Sequence, residues 1–111
     1  MAISYIQDEM LGLSKNACKA WVNFNGTGTV AIRDSYNVSS ITDNGTGDYD
    51  VNFTNAMADT NYSVGCTADY VTTAAWPSVV TLLTSDARVL VNDRTGSAQD
   101  VTLCYLQTFG G

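Results

Sequence analysis

No histidine occurs anywhere in these 111 residues. That absence removes the commonest general base, together with any Ser-His-Asp or Cys-His relay. Proline occurs once, and the three cysteines (Cys18, Cys66 and Cys104) form no C-x-x-C pair. A zinc site would therefore need an unusual ligand set. Neither G-x-S-x-G nor G-x-x-x-x-G-K-[ST] is present, so there is no nucleophile elbow and no phosphate cradle. No apolar run approaches the roughly 20 residues of a membrane span, and no membrane insertion is expected.

Charge is also scarce, at 14% of residues, and positive charge scarcest: five basic residues face eleven acidic ones, for a net charge of −6. Nucleic-acid binding depends on Lys and Arg neutralising phosphates. Here Lys15, Lys19, Arg33, Arg88 and Arg94 are few and scattered, so a nucleic-acid partner is excluded. The acidity serves solubility instead. At the N-terminus, Asp8 and Glu9 stand where a secretory signal would carry a basic end and then an unbroken apolar stretch. An odd cysteine count without such a signal fits synthesis in a reducing cytoplasm. Cys66 and Cys104 lie in apolar strand-like runs, where a free thiol is expected to behave as a small buried hydrophobe.

What is present is apolar residues, 45% of the chain, in a period of two. In Asp48–Thr54, Tyr49, Val51 and Phe53 point one way while Asp48, Asp50 and Asn52 point the other. Ala20, Val22 and Phe24 alternate with Lys19, Trp21 and Asn23. Tyr62, Val64, Cys66, Ala68 and Tyr70 alternate with Ser63, Gly65, Thr67 and Asp69. Val79–Leu83, Ala87–Asn92 and Val101–Leu106 are further strand candidates, rich in Val, Leu and Thr. One longer loop is expected near Val71–Ser78. Seven or eight short strands with polar turns predict an all-β fold, an antiparallel β-sandwich. The expected organisation is an N-terminal arm over 1–18 and a sandwich domain over 19–111. A short helix is possible over 3–14, since Ile3, Ile6, Met10 and Leu13 would share one face.

The tetrapeptide Asn-Gly-Thr-Gly occurs at 25–28 and again at 44–47. Asn-Gly favours the positive φ angles of tight hairpins. The first copy would join Lys19–Phe24 to Thr29–Arg33, and the second Tyr36–Thr42 to Asp48–Thr54. Asp43, Asn44, Asp48 and Asp50 surround the second copy, but the EF-hand order is missing. No metal and no cofactor is predicted. Asp48 and Asp50 would stand about 6–7 Å apart on one strand face, the spacing of a glycosidase pair. Both are expected to be wet and hence unremarkable acids, so no enzyme is predicted. N-x-[ST] triplets begin at Asn25, Asn37, Asn44, Asn52 and Asn61; turn chemistry explains them better than glycosylation.

Exposed aromatics are the best sign of binding. Trp76-Pro77 falls in the expected long loop, so Tyr70, Thr72, Thr73 and Trp76 are the candidate contact residues. A plug over the sandwich end, or packing against a sister subunit, is the competing use of Trp76. Trp21 lies on the polar side of its strand, to be covered by the N-terminal arm or by a neighbouring chain.

Residues 19–33 (KAWVNFNGTGTVAIR) and 39–49 (SSITDNGTGDY), with Val51-Asn52-Phe53-Thr54 after them, resemble a module found at the ends of tail fibres and in other virion structural proteins of tailed bacteriophages, notably marine and cyanobacterial ones. The resemblance is dense over 19–65 and general in character beyond. It implies a non-enzymatic, β-rich virion component, working as a homotrimer with other virion proteins as partners, and it assigns no binding residues. In such fibres an attachment region and shaft usually precede the module, whereas here only residues 1–18 do. Ile3, Tyr5, Ile6, Met10 and Leu13 would form an apolar arm that docks onto another virion protein or covers the sandwich itself. Two readings follow: a fibre-tip adhesin contacting a host cell-surface glycan or protein, or a capsid or neck decoration protein held by its arm. Either places the protein in the virion.

Overall fold

The computed structural model describes residues 17–69 and 75–110. Eight strands account for most of them: β1 (Cys18–Asn25), β2 (Ala31–Tyr36), β3 (Val38–Gly45), β4 (Asp48–Phe53), β5 (Tyr62–Ala68), β6 (Ala75–Leu82), β7 (Asp86–Asp93) and β8 (Cys104–Gly110). They form two antiparallel four-stranded sheets, ordered β2-β1-β8-β5 and β3-β4-β7-β6. The all-β sandwich read from the alternation is the observed fold. The expected arm and helix, with Ile3, Tyr5, Ile6, Met10 and Leu13, lie outside the described residues.

Period-two patterning turns into a core as expected. Tyr49, Val51 and Phe53 of β4 face Ala20, Val22 and Phe24 of β1, with Ala87, Val89 and Val91 of β7 and Cys104 and Leu106 of β8 completing the layer. Two edge-to-face aromatic pairs pin the sheets together: Phe24–Tyr49 at 5.2 Å between ring centres and Phe53–Tyr62 at 5.9 Å. Each pair joins one sheet to the other, and such pairs contribute about 0.5–1.5 kcal/mol beyond burial alone. Among the described residues Thr108 is the buried polar exception, and its hydroxyl donates to the Ala20 carbonyl at 3.4 Å.

The chain stays within a sheet at the hairpins β1–β2, β3–β4 and β6–β7, and changes sheet at every other connection. The first sheet change takes one residue. Asn37 sits in the left-handed region (φ 56°) between β2 and β3, where Asn is tolerated because its short amide bonds locally. Its amide donates to the carbonyls of Lys19 and Asn55 at 3.1 Å each and accepts from the Asn55 N–H at 2.7 Å. The turn-chemistry reading of that N-x-[ST] triplet has its mechanism here.

Several boundaries differ from expectation: β2 begins at Ala31 rather than Thr29, and β3 runs on to Gly45 rather than ending at Thr42. Val71–Ser78 is not all loop, because β6 begins at Ala75 and Trp76, Pro77 and Ser78 are strand residues. Pro77 ordinarily signals a break, but β6 is an edge strand, where a residue without an N–H is accommodated. Ala75 and Leu82 meanwhile pack on the core. The last strand is Cys104–Gly110 rather than Val101–Leu106. Val101 is buried, but its carbonyl is taken by the Gly26 N–H at 2.8 Å, and the Leu103 N–H goes to the Asp69 carboxylate at 3.0 Å. Their backbone groups serve neighbouring loops, so the ladder starts at Cys104. Finally, Tyr36 closes β2 instead of opening β3.

Candidate functional site

Strand registers sort the connections onto two ends of the sandwich. Phe24 and Ala68 both pair with Cys104, Gly45 pairs with Asp48, and Ala75 pairs with Asp93. The turns at 26–30 and 46–47 and the long connection 94–103 therefore share one end. The start of β1 and the finish of β8 share the other, where Cys18 pairs with Phe109 and Tyr62 with Gly110. β5 finishes and β6 starts at the loop-bearing end. Tyr70, Thr72 and Thr73 fall between them, outside the described residues.

Both copies of Asn-Gly-Thr-Gly meet at this end around one buried hydroxyl. The Tyr49 phenol lies 2.9 Å from the Gly26 carbonyl and 2.8 Å from Oδ1 of Asp100. Its single proton serves one acceptor at a time. The Gly47 N–H donates to the same Asp100 oxygen at 2.8 Å, the Val91 N–H donates to the Gly47 carbonyl at 2.7 Å, and the Gln99 N–H donates to the Val91 carbonyl at 2.9 Å. Burial, reinforced by the Asp100 carboxylate, pushes the Tyr49 phenol far above its ordinary range, so it remains a neutral donor at any working pH.

The glycines are required for contact more than for turning. Gly26 has no positive φ, but a Cβ there would sit 2.7 Å from Cζ of Tyr49. Gly47 combines a φ of 64° with a Cβ position 2.8 Å from both the nitrogen and the oxygen of Gln99. The hairpin reading holds for both copies, since β1 pairs with β2 and β3 with β4. The same turns also form a polar brace that locks three loops into one surface. Nothing in the local sequence flags Asp100, which reaches Tyr49 and Gly47 from more than fifty positions away.

Around this brace the loop tips are polar and exposed: Gly28, Thr29, Asp43, Asn44, Thr46, Thr95, Gly96 and Ser97. The Asp93 carboxylate closes the 94–97 turn by accepting from the N–H groups of Thr95 at 2.8 Å and Ser97 at 3.1 Å. Hydrogen bonding from Thr95 leads the causes that lower its pKa. Trp76 is 58% exposed and pairs with Asn92, which places it on the flank of the loop-bearing end rather than on a loop.

The carboxylates singled out by spacing are differently employed. Arg88 grips Asp48 with two parallel bonds, Nε to Oδ1 at 2.9 Å and a second guanidinium nitrogen to Oδ2 at 2.6 Å. That hydrogen bonding lowers the Asp48 pKa and engages both of its oxygens. Among the described residues, no three Cys, Asp or Glu side chains gather as a metal site. Cys104 is buried, and burial pushes its thiol up to about 12; burial raises the Cys66 thiol as well.

The opposite end carries a second feature. Trp21 (37% exposed) pairs with Tyr36 (57%) on one side and Gln107 on the other, and Phe109 (41%) lies two residues further along β8. These side chains form an aromatic patch on the outer face of the β2-β1-β8-β5 sheet, beside the point where residue 17 enters β1. Trp21 was legible from its register, but Tyr36 and Phe109 joined it only through strand pairing. Nearby, Lys19, Tyr36, Asn37, Asn55, Ala56, Met57 and Ala58 line an open cleft of about 330 Å³.

Comparison with models of known protein families, with curated proteins and with solved structures finds no match for this chain.

Proposed function

We propose that this chain is a non-enzymatic virion structural module of the tailed-phage type, a fibre tip whose sandwich presents loops to a host cell-surface glycan or protein. One observation carries the reading. Three connections gather at the end opposite the start of β1 and the finish of β8, and a Tyr49–Asp100 brace holds them in fixed relation. Rigid frames that display polar loops are how many binding domains separate stability from specificity. The wording of residues 19–65 supplies the phage context, and the homotrimer it implies belongs to the same proposal.

The test uses purified chain as a competitor for attachment of the particle to its host. Wild-type protein is expected to block attachment, and chains carrying Trp76→Ala or Thr46→Arg are expected to block it poorly while melting normally. Labelled protein located on the capsid lattice would overturn the fibre-tip reading. A specific observation favours a second reading, decoration of capsid or neck. The Trp21–Tyr36–Phe109 patch lies at the end where residues 1–16 join the sandwich, a suitable place for contact with another virion protein. On that reading Trp21→Ala loses particle incorporation and Trp76→Ala changes nothing. Sedimentation showing only the 11.9 kDa monomer would remove the trimer.

A further inference from the structure

The two Asn-Gly dipeptides have the same sequence through the next two residues, yet the fold treats them oppositely. Asn25 is in register with Ala31, and its Oδ1 accepts from both the N–H (2.9 Å) and the hydroxyl (2.7 Å) of Thr27. Gly26 after it is buried, its N–H donating to the Val101 carbonyl at 2.8 Å and its carbonyl facing Tyr49 at 2.9 Å. Asn44 is skipped by the β3–β4 register, which passes from Asp43 to Gly45, making it the extra residue of a bulge. Both Asn44 and Gly45 are exposed, among the described residues nothing lies within 4 Å of where a Gly45 side chain would begin, and the Gly45 φ is 133°. Among the described residues the Asn44 amide has only a 3.5 Å contact with Asp48, and the Gly45 N–H is held at 3.0 Å by the exposed carboxylate of Asp43, a bond that water replaces.

We propose that Asn44-Gly45 is a site of spontaneous deamidation in the folded protein and that Asn25-Gly26 is protected. The Gly45 nitrogen gives its proton to base in the solvent and attacks Cγ of Asn44. The N–Cγ bond forms, the Cγ–Nδ2 bond breaks, and Nδ2 leaves as ammonia after taking a proton from water. Water then opens the resulting succinimide at either carbonyl, giving aspartate or iso-aspartate. Glycine is needed because it puts no side chain over the attacking nitrogen and reaches backbone angles closed to other residues. At Gly26 the same attack must first break a buried hydrogen bond and strand the Val101 carbonyl, which slows it about tenfold or more. The product adds one carboxylate beside Asp43 and Asp48, at the loop-bearing end of a chain already at −6. This inference stands whether or not the chain is a fibre tip.

The experiment incubates the full-length chain at mildly alkaline pH and follows both sites by peptide mass spectrometry with an iso-aspartate readout, folded and in denaturant. In denaturant the two dipeptides should react at similar rates, because Gly-Thr-Gly follows the Asn in both. In the folded chain Asn44 is expected to convert about tenfold faster than Asn25, and Asn44→Gln should abolish the fast conversion with an unchanged melting curve. Equal folded rates, faster conversion at Asn25, or an Asn44 that reacts only in denaturant would each overturn the proposal.

Discussion

Tyr49→Phe is the sharpest probe of the loop brace. The substitution keeps the ring, and so keeps the edge-to-face contact with Phe24 at 5.2 Å. It deletes only the hydroxyl, leaving the Gly26 carbonyl and Asp100 Oδ1 without the donor now 2.9 and 2.8 Å away. A hydrogen bond to a charged acceptor contributes about 1.5–3 kcal/mol, and a buried carbonyl left unpaired costs about 1–3 kcal/mol. Asp100 keeps the Gly47 N–H at 2.8 Å, so the two costs do not add in full and the loss should fall near the middle of those ranges, about 2 kcal/mol. Urea unfolding should show that loss as a shifted midpoint with unchanged slope. Hydrogen exchange should accelerate at the Gly26 and Gly47 amides while the β4–β7 ladder stays protected. Asp100→Asn is expected to couple with Tyr49→Phe in a double-mutant cycle by about 1 kcal/mol, because the two share one bond. A loss below about 0.5 kcal/mol, the scale of an ordinary surface change, with no local change in exchange, would refute the brace.

The other predictions concern the sheet crossing, the ion pair and the thiols. Asn37→Gly should retain the left-handed backbone and lose only the amide bonds, whereas Asn37→Ala should cost about 1 kcal/mol more, and equal denaturation midpoints for the two variants would contradict this. The Asp48 pKa is held below its ordinary 3.8, chiefly by hydrogen bonds from Arg88. Its contribution to stability is therefore complete above 3.8 and fades as pH falls through the lower folded value. Asp48→Asn and Arg88→Met should each flatten the acid limb of the stability profile below about pH 4 and leave its neutral-to-basic shape alone, as followed by denaturation across pH. A thiol-alkylating reagent should leave Cys104 untouched in the folded chain, since burial raises its pKa to about 12, and modify it on unfolding; rapid labelling under native conditions would show that β8 opens.

How much of this was legible in the sequence depended on distance along the chain. In Asp48–Thr54 each side chain's fate follows from its neighbours, because a pleated strand turns successive residues to opposite faces, and all three apolar residues of β4 are buried. The two Asn-Gly-Thr-Gly turns likewise announce their hairpins locally. Trp76 misled for a local reason too, since Pro77 and the preceding run of small residues look like loop until an edge position in the sheet accommodates them.

The sequence by itself determined an all-β chain with a greasy and a wet side to each strand, because that information repeats every two residues. It also determined that no histidine can act as a base, because a missing histidine is missing in any fold. Tertiary structure alone decided strand order, and with it which turns share an end. It brought Asp100 to Tyr49 and Gly47, set Tyr36 beside Trp21, and gave identical Asn-Gly dipeptides one buried and one exposed environment. Those contacts join residues far apart in the chain, and such pairings are selected by the packing of whole sheets, which no short stretch of sequence specifies.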